Sequence, residues 1–220
     1  MAIDLVKGQR IDLRKKTGST LTKFCVGVNW GAIETPGGFL GLGKKTIDVD
    51  LDLSSILINS KNELVDHIYS PLYKVELLGK FGLPKGKLTS LDGALRHSGD
   101  DREGDKGGDD GLDNEIITVD LEKLNKDITQ IFFFLNNVGK EDFAQIPYAK
   151  IRMYEGTSTQ VKEVFASYNV SAEAQYSSKR ALIMGKLYKK ENDWRFNAIG
   201  DATDDVFIGQ TIVRIVKSYL

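Results

Sequence analysis

Residues 99–115 read GDDREGDKGGDDGLDNE, eight carboxylates set among glycines. They are Asp100, Asp101, Glu103, Asp105, Asp109, Asp110, Asp113 and Glu115, and only Arg102 and Lys106 oppose them. The stretch therefore carries a formal charge of −6 in a chain whose total is −1. A segment this one-sided either repels itself into a solvated loop or gathers cations. Glycine lets the backbone fold back on itself, which brings carboxylate and carbonyl oxygens around one point. Hard divalent cations, Ca²⁺ above all, take such an all-oxygen cage of roughly 6–8 donors. A solvated acidic surface loop is the competing reading.

A second acidic element lies about fifty residues earlier, too far to be part of the same local accident. Residues 46–58 read TIDVDLDLSSILI, and apolar and acidic residues alternate from Ile47 to Leu53. In a strand that alternation sends Asp48, Asp50 and Asp52 to one face and Val49, Leu51 and Leu53 to the other. Three carboxylates in a file are either fully solvated or share a cation. The loop spacing does not fit an EF-hand: Gly104 precedes Asp105 instead of following it, and no helix pattern flanks the loop. Mg²⁺ fits less well, since it is held through few carboxylates and keeps its waters.

Other chemistries are poorly supported. His97 stands directly before the loop and has the makings of a metal ligand or a base. No zinc-type spacing accompanies it, and a histidine in that position more often donates a hydrogen bond that holds the loop. No Ser-His-Asp arrangement stands out, and GLGKK at 41–45 lacks the full phosphate-loop pattern. Carboxylate pairs serve general acid–base chemistry elsewhere, but these acids look built around a cation, and the chain is expected not to be an enzyme. The single cysteine, Cys25, forms no internal disulfide and no cysteine zinc site.

The elements that must position the acids read as mostly β. Strand patterns fall at 4–13, 21–30, 46–58, 61–70, 74–78, 116–119, 128–135, 149–154, 161–168, 181–188 and 193–199. Phe24, Val26 and Val28 share one strand face, and ITQIFFFL (128–135) reads as a core strand buried on both sides. Asp120 is a turn cap for DLEKLNKD. Asp204 and Asp205 are expected to cap a final helix with Val206, Phe207, Ile212, Val213, Ile215, Val216 and Tyr219 on its apolar face. Trp30 and Trp194 read as core or sheet-edge aromatics, and Cys25 as a small buried residue. The whole predicts an all-β fold: a two-sheet β-sandwich with short helices, including a C-terminal helix, in one domain spanning 1–220.

Composition narrows the setting. At 41% hydrophobic residues the 220-residue chain has enough apolar content for a real core. MAIDLVKGQR lacks an apolar signal region, and the longest apolar runs are far too short to span a bilayer. A cytoplasmic protein is expected, where free Ca²⁺ is kept low. The near-zero net charge argues against a dedicated nucleic-acid binder.

Five segments resemble the TerD family of tellurium-resistance and stress-response proteins. They are LVKGQRIDL (5–13), VGVNWGAIE (26–34), DVDLDLSS (48–55), HSGDDREGDKGGDD (97–110) and DWRFNAIG (193–200). The resemblance implies a β-sandwich that binds Ca²⁺ through the two acidic elements, without known catalysis. Carried onto this chain, it makes Asp50 and Asp52 the strand ligands. Asp100, Asp101, Asp105, Asp109, Asp110 and Glu115 become the loop ligands. Residues 111–114 lengthen the loop relative to the family, so Asp113, Asn114 and Glu115 fit the family's acid triplet as well as Asp109 and Asp110 do. Gly31 stands where many members have Asp. The implied role is a calcium-dependent scaffold or sensor working with other stress-response proteins of the same system. A second reading is a calcium-dependent module for an anionic membrane surface, with GGFLGLGKK (37–45) as the inserting segment.

Overall fold

The computed structural model describes residues 3–4, 7–14, 18–37, 44–169, 174–191 and 193–220. The strands in chain order are β1 (Ile3–Asp4), β2 (Arg10–Asp12), β3 (Lys23–Trp30), β4 (Ile33–Pro36), β5 (Lys44–Ile47), β6 (Leu51–Asn59) and β7 (Leu64–Ile68). After a one-turn helix α1 (Val75–Gly79) come β8 (Leu95–His97), β9 (Glu115–Asp120), β10 (Ile128–Asn137), β11 (Ala149–Thr157), β12 (Gln160–Asn169), β13 (Ala181–Lys190) and β14 (Asp193–Thr203). Helix α2 (Ile208–Ser218) closes the chain.

Two six-stranded sheets face each other. The first runs β1-β12-β11-β3-β9-β8 and the second β2-β14-β13-β10-β6-β7, with β4-β5 as a separate ribbon. All pairings in the two large sheets are antiparallel except β1 with β12. The period-2 pattern decides which residues fill the space between them. Phe24, Val26, Val28 and Trp30 of β3 meet Leu51, Leu53 and Leu57 of β6 and Ile131, Phe133 and Leu135 of β10 in one core. The alternate residues of the second sheet, Ile56, Ile58, Phe132, Phe134 and Ile183, form another core under Ile208, Ile212 and Ile215 of α2. That is why ITQIFFFL carries no polar face: β10 is covered on both sides.

Several local expectations are corrected. The run 46–58 is not one strand: β5 ends at Ile47, residues 48–50 leave the ladder, and β6 begins at Leu51. Val49 N–H is taken by Glu103 O at 3.1 Å, so the acidic loop replaces a neighbouring strand there. Residues 74–78 lie on helix α1 (Val75–Gly79) and its N-cap rather than on a strand, with only Leu78 buried. Asp204 and Asp205 do not cap α2. The Gln210 side chain accepts the Val206 and Phe207 N–H groups at 2.9 and 3.0 Å instead. Asp205 forks onto Arg214, 2.8 and 2.7 Å, a geometry in which both carboxylate oxygens are used. Val206 and Val216 lie outside the buried helix face. The apolar segment at 38–43, central to the membrane-surface reading, lies outside the described residues. No described helix is long and apolar enough to cross a membrane.

Candidate metal centre

The acidic loop is held by main-chain bonds to the core. Asp105 N–H donates to Trp30 O and Ala32 N–H to Asp105 O, both 2.9 Å. The Trp30 indole is fully buried and donates to Val49 O at 2.7 Å. Gly104 lies flat on that indole with φ +72°, and a Cβ there would stand 2.6 Å from the ring. Only glycine allows both the left-handed backbone and that approach. Asp101 works inside the loop: its Oδ1 accepts the N–H groups of Glu103 (2.9 Å) and Gly104 (3.2 Å). Asn114 ties the loop's two ends together, donating to Asp101 Oδ2 (3.2 Å) and Asp105 Oδ1 (3.0 Å).

Two groups of three carboxylates result, the oxygens of each within 4.8 Å of one another. The first joins Asp52 of β6 to Asp100 and Glu115, so the two acidic elements meet in space. Glu115 opens β9, which pairs with β3 (Val28 opposite Glu115) and points it inward beside Ile117 and Val119. Strand β7 covers β6 only from Ser55 to Ile58. Where it stops, Glu115 and His97 take over the exposed main chain of Leu53. Glu115 Oε2 accepts Leu53 N–H at 2.7 Å and Oε1 accepts Asp101 N–H at 3.0 Å. His97 Nδ1 accepts Gly99 N–H at 3.0 Å, so Nε2 carries the proton and donates to Leu53 O at 3.0 Å. Both histidine nitrogens are thus engaged in holding the loop.

The second group, Asp105, Asp109 and Asp110, sits over the outer face of the first sheet. Asp105 Oδ2 accepts from Asn29 Nδ2 (2.9 Å) and the Tyr148 hydroxyl (3.0 Å). Lys150 Nζ contacts Asp109. Asp113 stays apart from both groups. Its side chain is fully buried and paired with Arg152 Nε at 2.8 Å. It packs on Gly27, where a Cβ would come within 2.1 Å of Oδ2. So Asp109 and Asp110 join Asp105, Glu115 joins Asp52, and Asp113 clasps the loop to the sheet.

Asp50 borders the first group. Its Oδ1 is buried without a hydrogen-bond partner, and Oδ2 lies 3.8 Å from Arg102 Nε. Burial, then the charge of Asp100, pushes its carboxyl up to about 6, with Arg102 opposing. Burial and then the Glu115 charge push Asp52 well above its ordinary value, and burial raises Glu115 against the pull of His97. Two buried carboxylates, Asp52 and Glu115, a half-buried third, Asp100, and an orphaned Asp50 oxygen beside them, with no nitrogen or sulfur in the group, fit a hard divalent cation.

This arrangement predicts a pH dependence. A folded-state carboxyl raised to about 6 keeps its proton while the unfolded chain gives it up near 4. Stability is therefore fully present below about 4 and falls as pH rises to about 6. A two-unit shift corresponds to roughly 2–3 kcal/mol. In chelator, Asp50→Asn is expected to flatten that part of the stability curve, as read by denaturant unfolding between pH 4 and 7. Parallel curves for the two proteins would remove Asp50 from this account.

The residues that the loop acids meet were the part that spacing alone missed: Asn29, Asn114, Tyr148, Lys150 and Arg152. One signal was available. YAKIRMY (148–154) alternates Tyr148, Lys150, Arg152 and Tyr154 on one strand face, a basic and aromatic stripe suited to facing an acidic loop.

The profile of the TerD domain matches residues 1–211. The chain belongs to the TerD family. Among TerD relatives, Stress response protein SCP2 of Bacillus subtilis is 33% identical over 98% of this chain and 100% of its own length. Tellurium resistance protein TerX of Serratia marcescens is 30% identical over 94% of this chain and 97% of its own. A solved Streptomyces coelicolor homologue of the telluride resistance protein TerD, SCO6318, superposes with a TM-score of 0.58 at 14% identity. It covers 90% of this chain and 97% of that one, and supports the TerD-type fold.

Proposed function

We propose that this TerD-family protein binds calcium and acts in the stress or tellurium-resistance response as a scaffold or sensor rather than a catalyst. The observation that carries the reading is the meeting of buried Asp52 and Glu115 with half-buried Asp100, their oxygens within 4.8 Å of one another. Three like charges so placed repel strongly unless protonated or neutralised by a cation. Asp50 offers a further oxygen at the edge, and Asp105, Asp109 and Asp110 a second group. When bound, the ion would supply positive charge that offsets the repulsion among these carboxylates and stabilises the loop where it already sits against β6. The names of the relatives, which speak of stress response and tellurium resistance, support the biological setting. A cytoplasmic location, with low resting calcium, suits a site that responds to rises.

The test is thermal melting of chelator-stripped protein with and without calcium. At a calcium concentration a hundred times Kd, mass action adds about 2.7 kcal/mol. For a chain of this size that raises Tm by roughly 5–10 °C. Magnesium at the same concentration is expected to do much less, because it sheds its waters reluctantly. No calcium-dependent heat in calorimetry and no melting shift would overturn the reading.

A further inference from the structure

We propose that the cleft between α1 and the start of α2 is a docking pocket for the C-terminal residue of a partner polypeptide, taking its apolar side chain, its main-chain N–H and its terminal carboxylate together. The inference names a kind of partner for the scaffold role and stands on residues outside both carboxylate groups. The cleft has a volume of about 270 Å³, a little under the roughly 300–1,000 Å³ of sites for drug-sized ligands. It therefore suits one residue better than a whole helix. Leu72 and Leu77 line it from α1 and the turn before it, Val138 from just beyond β10, and Val206 from the turn before α2; all four are exposed. Large apolar side chains gathered around one opening mark a binding surface, where single scattered ones would not. The walls are already fixed by ring contacts. Phe207, at the start of α2, packs edge-on against Tyr73 at 5.7 Å and lies 5.6 Å from Phe81.

Two polar features decide what the apolar group must carry. Asn136 lines the cleft from its buried side and is 2% exposed. Its Nδ2 donates to Thr211 Oγ1 at 2.9 Å, while its Oδ1 is buried without a partner. A buried acceptor left unpaired costs stability until a donor reaches it, and a peptide N–H is such a donor. The Tyr73 hydroxyl is the other unpartnered atom of the lining, but it is set against Asp52. Among the described residues, Lys74 is the one charged side chain that lines the cleft, and no acid is paired with it. Phe207 and Ile208, the first residues of α2, share that lining, and a helix start carries the positive end of the backbone dipole. Lysine and dipole both favour an anion at the rim. The last residue of a polypeptide carries an apolar side chain, an N–H and a carboxylate on one Cα, and so meets the walls, Asn136 and Lys74 at once. A fatty acid lacks the N–H, and a free amino acid has a charged ammonium in its place.

Titration of the full chain with acetyl-alanyl-alanyl-leucine, followed by amide NMR shifts with calcium present, tests this. Shifts are expected at Lys74, Val138 and Val206. Amidating the probe's terminal carboxylate should weaken binding about tenfold. Methylating the N–H of its last residue removes the donor meant for Asn136 without altering the protein, and should cost a similar factor. Lys74→Glu should reverse the order, so that the amidated probe binds better than the free acid. Val206→Asp should abolish binding of the free acid; both positions are exposed, and unchanged melting curves confirm the fold. Octanoate binding as tightly as the peptide, or the methylated probe binding as well as the unmethylated one, would overturn the inference, because no main-chain N–H is then read. Shifts confined to other surfaces, or none at all, would also overturn it. Calorimetric heat on adding calcium alone is unaffected by any of these outcomes, so failure here leaves the calcium reading in place.

Discussion

Replacing Asp52 with asparagine is expected to weaken calcium binding at the first carboxylate group by roughly a hundredfold or more while making the ion-free protein harder to unfold. The two effects have one cause. Asp52 is only 4% exposed, and burial followed by the charge of Glu115 drives its carboxyl well above the ordinary range. At neutral pH the ion-free fold must therefore either bury the charge or take up a proton, and both cost stability relative to the unfolded chain. Asparagine has nearly the same shape and no charge, so that cost disappears, but a charged ligand oxygen is lost from the ion's cage. The stability order of the two proteins is predicted to invert between chelator and saturating calcium, the variant leading in the first and the wild type in the second. Denaturant unfolding in both conditions checks this. A variant less stable than the wild type in chelator would show Asp52 to be a structural residue whose charge is already satisfied.

Glu115→Ala is expected to be the most damaging single change in the site, lowering stability by about 3–5 kcal/mol in chelator and removing calcium stabilisation altogether. Glu115 is fully buried and bridges three elements, accepting from Leu53 N–H, from Asp101 N–H and standing 3.3 Å from His97 Nε2. Truncation leaves two buried N–H groups unpaired and a hole between the sheets. For a chain of this length the loss corresponds to a fall in Tm of roughly 6–20 °C. Glu115→Gln separates the two roles. Its amide oxygen still accepts from one N–H, so it should fold more stably than the alanine variant yet fail to gain stability from calcium. Equal stability of Glu115→Ala and wild type would mean that β6 does not depend on this side chain where β7 ends.

The strand pattern carried the fold because period-2 burial acts locally. Phe24, Val26 and Val28 share a face whichever sheet they join, and the unbroken apolar run of β10 follows from being covered twice. The acidic groups were legible in part for the same reason: Asp52 is exiled from the Leu51–Leu53 face by alternation alone. What was not legible depends on partners distant in the chain. Of the late acids, Asp109 and Asp110 gather with Asp105 and Glu115 with Asp52, while Asp113 is drawn aside by Arg152 and by the bare backbone of Gly27, which admits its carboxylate. No spacing within the loop records either. Likewise Thr46–Ile58 reads as one strand until Glu103 takes the Val49 N–H and ends the ladder. Lys74–Leu78 is a short apolar run whose period is compatible with strand or helix, and its packing under α2's core decided it. Asp205 has the residue type of a cap, but Arg214, two turns along the helix, offers it a bidentate partner that outweighs lone N–H groups.

A crystal structure of the protein grown with calcium tests the central claim most directly. The account predicts an ion bonded to carboxylate oxygens of Asp52, Asp100 and Glu115 at about 2.3–2.6 Å, with the loop closed on β6 as described here. Calcium bound elsewhere on the chain, or those three carboxylates free of metal at saturating calcium, would contradict it.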